Sequence, residues 1–238
     1  EHVVREELDL QPSQMNLKLG IFGGEPGMDI PDFRNHIEDT WGIRASNVYG
    51  LSDSMCDLAA VCDDVYQLHY QGQGALIAEI IDPTTLEELS VEKGVSGELV
   101  LTNLDREAQP LVRYRTRDLI EIKAVGPCVC GRTGFRFMVI GRSDDMLHVK
   151  GINVFPSGIF EILNKMTHQV TGEFQVVLDH PSPYNELDIT VESEYCGEPN
   201  ESDIRHNIEK EIRQMLTFTA NVTLVPPGSI PLTEFGKV

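Results

Sequence analysis

The chain has 238 residues, 41% hydrophobic content, mean hydropathy of -0.17 and a net charge of -19 at pH 7. At about 150 residues per domain, this length gives one large or two unequal domains with a sizeable core. The acidic balance excludes a nucleic-acid partner, which needs a basic face. No apolar run reaches the ~18 residues of a membrane helix, so no membrane partner is expected. Charges interrupt Glu1–Glu7, so it is not a signal peptide. Five Cys is an odd count without secretory signs, and a cytoplasmic protein without a disulfide framework is expected.

In chain order, Leu17–Phe22 reads as a short strand closed by the turn Gly23-Gly24-Glu25-Pro26-Gly27. Phe33, Ile37 and Trp41 then recur at every fourth position, predicting an amphipathic helix with one buried stripe. Ala45–Tyr49 reads as a second strand, ending in Gly50-Leu51-Ser52-Asp53. Strand, helix, strand is a right-handed crossover, so both polar turns lie beyond the carboxyl ends of parallel strands. Open α/β sheets bind ligands at that edge. From Gly74 the pattern is β: Ala75–Ile81, Gly97–Thr102, and Leu111–Ile122 with Arg113, Arg115 and Arg117 on one face, together a small barrel-like subdomain. Arg115 and Arg117 are expected to pair with carboxylates of this acidic chain.

Beyond Asp145 the pattern changes again. Pro156 starts a helix with Ile159, Ile162, Leu163 and Met166 on one side. Strands follow at Phe174–Leu178 and Leu187–Glu192. Ser202 is placed as the cap of a helix whose buried stripe is Ile204, Ile208, Ile212 and Met215, and Asn221–Val225 is a last strand. The expected fold class is α/β: residues 1–143 as the C-terminal part of a large domain (α/β plus small β-barrel), then residues 144–238 as a small α+β lid.

Gly141-Arg142-Ser143-Asp144-Asp145-Met146-Leu147 runs into Val149-Lys150-Gly151-Ile152-Asn153-Val154-Phe155-Pro156, downstream of Tyr114-Arg115-Thr116-Arg117-Asp118. These segments resemble the hinge region of the adenylate-forming acid–CoA ligases, and within them the phenylacetate–CoA ligase family. The resemblance runs collinearly from about Leu10 to Lys237. It implies ATP-dependent activation of an aryl acid as acyl-adenylate, followed by transfer to coenzyme A.

Further roles come from the same resemblance. Gly23, Gly24, Glu25 and Pro26 are similar to the adenine-side loop. Tyr49-Gly50-Leu51-Ser52 resembles the motif whose aromatic ring stacks on adenine and whose following carboxylate holds Mg²⁺; here that carboxylate is Asp53, one methylene shorter than the usual Glu. Asp118 matches the carboxylate that accepts the ribose hydroxyls, Arg142 the arginine beside the nucleotide, and Asp144 or Asp145 the hinge. Gly151 matches a glycine on the strand that approaches coenzyme A, and Lys237 the lid lysine that bridges carboxylate and α-phosphate. The net negative charge is a weak objection to anionic ATP and coenzyme A, because salt screens distant charges over ~8 Å. The family's phosphate-wrapping loop precedes everything in this sequence, so the chain is read as the C-terminal part of a longer enzyme or its ordered portion.

Cys62 and His69, with Cys128-Val129-Cys130 in a tight turn, supply four soft or borderline ligands. Structural zinc takes four such groups tetrahedrally, and zinc is preferred here over four unrelated buried groups. Relatives in the family show a similar Cys-x-Cys-Gly-Arg-Thr segment. Two other readings stay open: adenylylation of a cofactor such as F420, and a non-catalytic nucleotide-binding homologue, which the shortened Asp53 motivates. A homodimer also stays open.

Overall fold

The computed structural model describes residues 4–5, 7–24, 27–166 and 168–231. The chain divides into two compact units, Glu1–Asp144 and Asp145–Val238.

The first unit begins with a crossover. β1 (Leu19–Phe22) leads through α1 (Pro31–Trp41) to β2 (Arg44–Leu51), and the two strands are parallel, Leu19 opposite Arg44. Pro31 suits the first turn of α1, where its missing N–H costs nothing. Gly42 ends the helix in the left-handed region. The stripe of Phe33, Ile37 and Trp41 is a correction to expectation: no residue of α1 is buried, and these three are only half-covered. The helix has correct periodicity, but its main partners are β2 and the short 3-10 turn Pro12–Met15, which leave the stripe half-covered.

Seven antiparallel strands extend this pair: β3 (Met55–Ala60), β4 (Leu68–Tyr70), β5 (Leu76–Ile81), β6 (Glu88–Leu89), β7 (Ser96–Asn103), β8 (Tyr114–Ala124) and β9 (Arg136–Arg142). All nine form one sheet in the order β1-β2-β3-β4-β9-β8-β7-β5-β6. Leu58, Leu68, Ile80, Leu99, Leu101, Ile120, Ile122 and Phe137 make its core, every one at most 1% exposed. The alternation expected for Arg113, Arg115 and Arg117 is interrupted. β8 starts only at Tyr114, Arg113 and Arg117 take positive φ of 48° and 68°, and the β7–β8 register shifts between Glu98 and Val100. Each irregularity breaks the two-residue alternation on which the expectation rested.

In the second unit, the hairpin β10 (Leu147–Val149) and β11 (Ile152–Val154) precedes α2 (Pro156–Asn164). A three-stranded sheet follows, β12 (Phe174–Val177), β13 (Leu187–Glu192) and β14 (Ala220–Val225), with α3 (Glu201–Leu216) crossing between the last two. β13 runs antiparallel to β12 and parallel to β14. Ile159, Ile162 and Leu163 of α2 and Ile204, Ile208 and Ile212 of α3 bury against Leu187, Ile189, Val191, Val222 and Leu224. Two expectations fail. Asn200, not Ser202, is the N-cap of α3, without a side-chain capping bond, and Ser202 lies within the helix. Met215 is 44% exposed, and Leu216 packs against the core in its place. Among the described residues no helix is long and apolar enough to cross a membrane.

Candidate functional site

The turn between β2 and β3 carries Ser52 and Asp53, and the register shift between Tyr49 and Leu51 places a bulge at Gly50. From β2, the Tyr49 hydroxyl donates to Asp118 Oδ2 at 2.6 Å. From the end of β9, Arg142 Nη1 donates to Asp118 Oδ1 at 2.9 Å. The other edge of the same guanidinium grips Asp144 through Nε and Nη2, at 2.9 and 2.8 Å. β8 and β9 pair Asp118 with Arg142 directly, so the sheet register itself sets this contact. Tyr49, Asp118, Arg142 and Asp144 thus form one continuous network.

Electrostatics follow from burial and pairing. Burial pushes the Asp118 carboxyl above its ordinary value, and the Tyr49 hydroxyl and Arg142 offset this only in part. Burial, then the adjacent Asp118, also raises the Tyr49 phenol. Asp144 goes the other way: burial opposes ionisation, but the Arg142 fork outweighs it and holds the carboxyl low. Each oxygen of Asp118 retains a second lone pair, so a vicinal diol could still donate to it.

Asp53 stands on an open cleft of about 540 Å³ lined by Ser52, Arg106, Gln109, Leu111 and Tyr114. The Tyr114 hydroxyl donates to Asp53 Oδ2 at 3.1 Å, and Arg106 donates to the Asp53 carbonyl and, at 3.3 Å, to that of Ser54. Sequence reasoning missed Arg106 and gave Tyr114 no role of its own. It also missed Glu98, a fully buried carboxylate in the apolar run of β7. Glu98 holds Arg115 through two bonds of 2.9 and 2.6 Å and accepts from the Ser143 hydroxyl at 2.9 Å. Arg115 therefore pairs as expected, and Arg113 reaches Glu79 at 3.2 Å. The one signal for Glu98 was a charged residue inside an apolar strand.

The remaining residues singled out by sequence are spread more widely. Gly23 follows β1 in a tight place, where a Cβ would stand 2.9 Å from the Val48 carbonyl oxygen. Gly24 follows it, whereas Glu25, Pro26 and Lys237 lie outside the described residues. Gly151 is not on a strand. It occupies the β10–β11 turn at φ 81°, where a Cβ would meet no atom within 4 Å, so backbone conformation is what demands glycine there. Asp144 and Asp145 flank the boundary between the two units.

A second cluster lies elsewhere on the same sheet. Cys62 follows β3, His69 is on β4, and Cys128 and Cys130 share the turn between β8 and β9. Their four ligand atoms all lie within 4.8 Å of one another. Cys62 Sγ is 4.0 Å from Cys128 Sγ, and Cys130 Sγ is 3.7 Å from His69 Nε2. Tetrahedral zinc with bonds of about 2.3 Å to sulfur separates its sulfur ligands by about 3.8 Å. His69 Nδ1 sits 2.9 Å from the Gln67 carbonyl, which only accepts, so Nδ1 carries the proton and Nε2 presents its lone pair. The Cys130 backbone N–H, then His69, lower the Cys128 thiol to about 6, whereas burial raises Cys62. Donor type, spacing and tautomer all fit a structural zinc ion.

Residues 151–238 match the AMP-binding enzyme C-terminal domain family. Over 96% of its length the chain is 31% identical to a phenylacetate-coenzyme A ligase of Thermus thermophilus and 32% identical to one of Escherichia coli, covering 54% and 53% of those proteins. The chain therefore spans about half the length of these relatives. A crystal structure of 2-hydroxyisobutyryl-CoA ligase, in the postadenylation state with 2-HIB-AMP, superposes with a TM-score of 0.84 at 28% identity, over 97% of this chain and 49% of that one. By its fold, its C-terminal domain and its similarity to phenylacetate–coenzyme A ligases, the chain belongs to the adenylate-forming superfamily.

Proposed function

We propose that this chain forms part of an AMP-forming acid–coenzyme A ligase acting on an aryl acid of the phenylacetate type. The observation that carries this is the Tyr49–Asp118–Arg142–Asp144 network, which ends at Asp144, the last residue of the first unit. Residues 1–143 are assigned to the C-terminal part of the adenylation domain and 144–238 to the lid.

Asp118 takes the ribose hydroxyls, and Arg142 supplies positive charge beside the nucleotide. The Tyr49 ring faces adenine, while its hydroxyl holds Asp118 in place. The loop of Gly23, Gly24, Glu25 and Pro26 lines the adenine side. Asp53 and Ser52, oxygen donors on an open cleft, suit a hard Mg²⁺ ion, which would neutralise phosphate charge. Tyr114 and Arg106, which line the same cleft, hold this turn. Lys237 bridges the acid and the α-phosphate during adenylation, and the chain swings at Asp144–Asp145 so that the Gly151 turn can serve coenzyme A. Cys62, His69, Cys128 and Cys130 hold zinc as a staple between strand connections, away from the chemistry. The ligase thus works by positioning and electrostatics, without a protein nucleophile.

The test supplies the intact protein with ATP, Mg²⁺, phenylacetate and coenzyme A. AMP, pyrophosphate and thioester in equal amounts are expected. Pyrophosphate without AMP would instead favour transfer of the adenylyl group to a cofactor, and ATP binding without any turnover would favour a non-catalytic role.

A further inference from the structure

Asp118 does not sit in regular strand. In the β7–β8 register Val100 lies opposite Arg115 and Glu98 opposite Leu119, so Thr116, Arg117 and Asp118 stand against Leu99 alone. The bulge passes through Arg117 at φ 68°, in the left-handed region that a residue with a side chain seldom takes. Such a turn keeps its shape only where its surroundings over-determine it. Thr116, 3% exposed, supplies one pin: its hydroxyl donates to the Leu99 carbonyl at 2.8 Å and accepts from the Asp118 N–H at 3.1 Å.

Glu98 supplies the other. Its Oε2 accepts from Arg115 Nη2 at 2.6 Å and from the Ser143 hydroxyl at 2.9 Å, while Oε1 accepts from Arg115 Nε at 2.9 Å. Arg115 is the residue that enters the bulge, and Ser143 follows Arg142, the register partner of Asp118. The Ser143 N–H donates in turn to the Arg117 carbonyl at 2.7 Å. One buried carboxylate therefore ties the start of the bulge on β8 to the end of β9. A glutamine could not do the same, because its single acceptor oxygen leaves either the guanidinium or the hydroxyl facing an NH₂ group.

We infer that Glu98 is a positioning residue for nucleotide binding, because through Arg115 and Ser143 it sets the bulge that presents Asp118 beside Arg142. This rests on the reading of Asp118 as the acceptor of the ribose hydroxyls. Glu98 is fully buried and touches no nucleotide, so its effect passes through Asp118 and Arg142. The mark of that route is loss of discrimination at the ribose, since a nucleotide without hydroxyls has no bond to lose at Asp118.

The experiment measures the affinity of the intact protein for ATP and for dideoxy-ATP, which lacks both ribose hydroxyls. It compares the wild type with Glu98→Gln, Ser143→Ala and Ser143→Thr. Ser143→Ala deletes one bond and leaves the buried Glu98–Arg115 pair, so it serves even if Glu98→Gln does not fold. The wild type should prefer ATP. That preference should fall in Glu98→Gln and Ser143→Ala by between about 3-fold, the worth of one hydrogen bond, and about 10²-fold, the cost of misplacement by about 1 Å. Ser143→Thr keeps the hydroxyl and should keep the preference. A merely structural role would reduce the fraction of protein able to bind, affecting both nucleotides alike; an unchanged preference in the variants would overturn the inference. A wild type that binds both nucleotides equally would instead remove the ribose assignment of Asp118, and the inference with it.

Discussion

The second unit and the leading crossover of the first use the same kind of apolar pattern and bury it to very different extents. Ile208 and Ile212 of α3 are fully buried between α2 and the three-stranded sheet. Leu17, Leu19 and Ile21, around the edge strand β1, are 46%, 44% and 67% exposed, and α1 has no buried residue. Periodicity fixes which face of an element is apolar. Whether that face is covered depends on a second layer, and parallel strands ordinarily need one on each side. The described residues give the second unit's sheet a helical layer over its apolar face and leave β1 open.

That contrast can be pressed from its largest expected consequence to its smallest. Within the first unit, the cysteine cluster is expected to contribute most, because zinc binds structural finger peptides with an apparent free energy of about 10 kcal/mol or more. Metal analysis should find one zinc per chain. Cys128→Ser or chelation should lower the melting of the first unit while the second melts unchanged. A protein that holds no zinc and melts identically would refute the staple. Next, Ile208→Ala should destabilise the second unit by about 2–5 kcal/mol, the cost of a cavity in a closed core, as read from denaturant unfolding.

Acid should expose the third. Burial opposes the charge on Glu98, but Arg115 and Ser143 outweigh it, so its folded pKa is depressed. Its stabilisation is then full above the ordinary Glu value of about 4.3 and is lost as pH falls through the lower folded value. Wild-type stability should drop across that window, and Glu98→Gln should be less stable at neutral pH and less sensitive to acid. A parallel pH dependence in both would show that the pair is not the cause. The smallest effect belongs to β1: Ile21→Ser should change stability by less than about 0.5 kcal/mol, and a loss of several times that would mean the strand is covered in solution.

Much of this architecture was legible in the sequence, because local rules govern it. Pro156 opens a helix, Ile204, Ile208 and Ile212 recur at helical spacing, and β13 alternates as a half-buried strand should. The paired Cys128 and Cys130 stood out as a tight turn with two thiols, and the fold brings Cys62 and His69 to them. What escaped depends on partners distant in the chain or on backbone irregularity. Glu98 meets Arg115 and Ser143 across strands, and Glu192 meets a turn 38 residues later. Left-handed Arg113 and Arg117 broke an alternation that spacing alone predicted. Ser202 is a good cap by type, yet the helix begins one residue earlier, at Glu201.

The most direct test of the central claim is acid-dependent ATP–pyrophosphate exchange by the intact protein, with phenylacetate among the acids and Asp118→Ala as the paired variant. Exchange with an aryl acid is expected, with ATP affinity weakened about 10-fold or more in the variant, the loss of a charged hydrogen-bond acceptor. Absence of exchange with every acid, despite measurable ATP binding, would contradict the assignment of this site to adenylation.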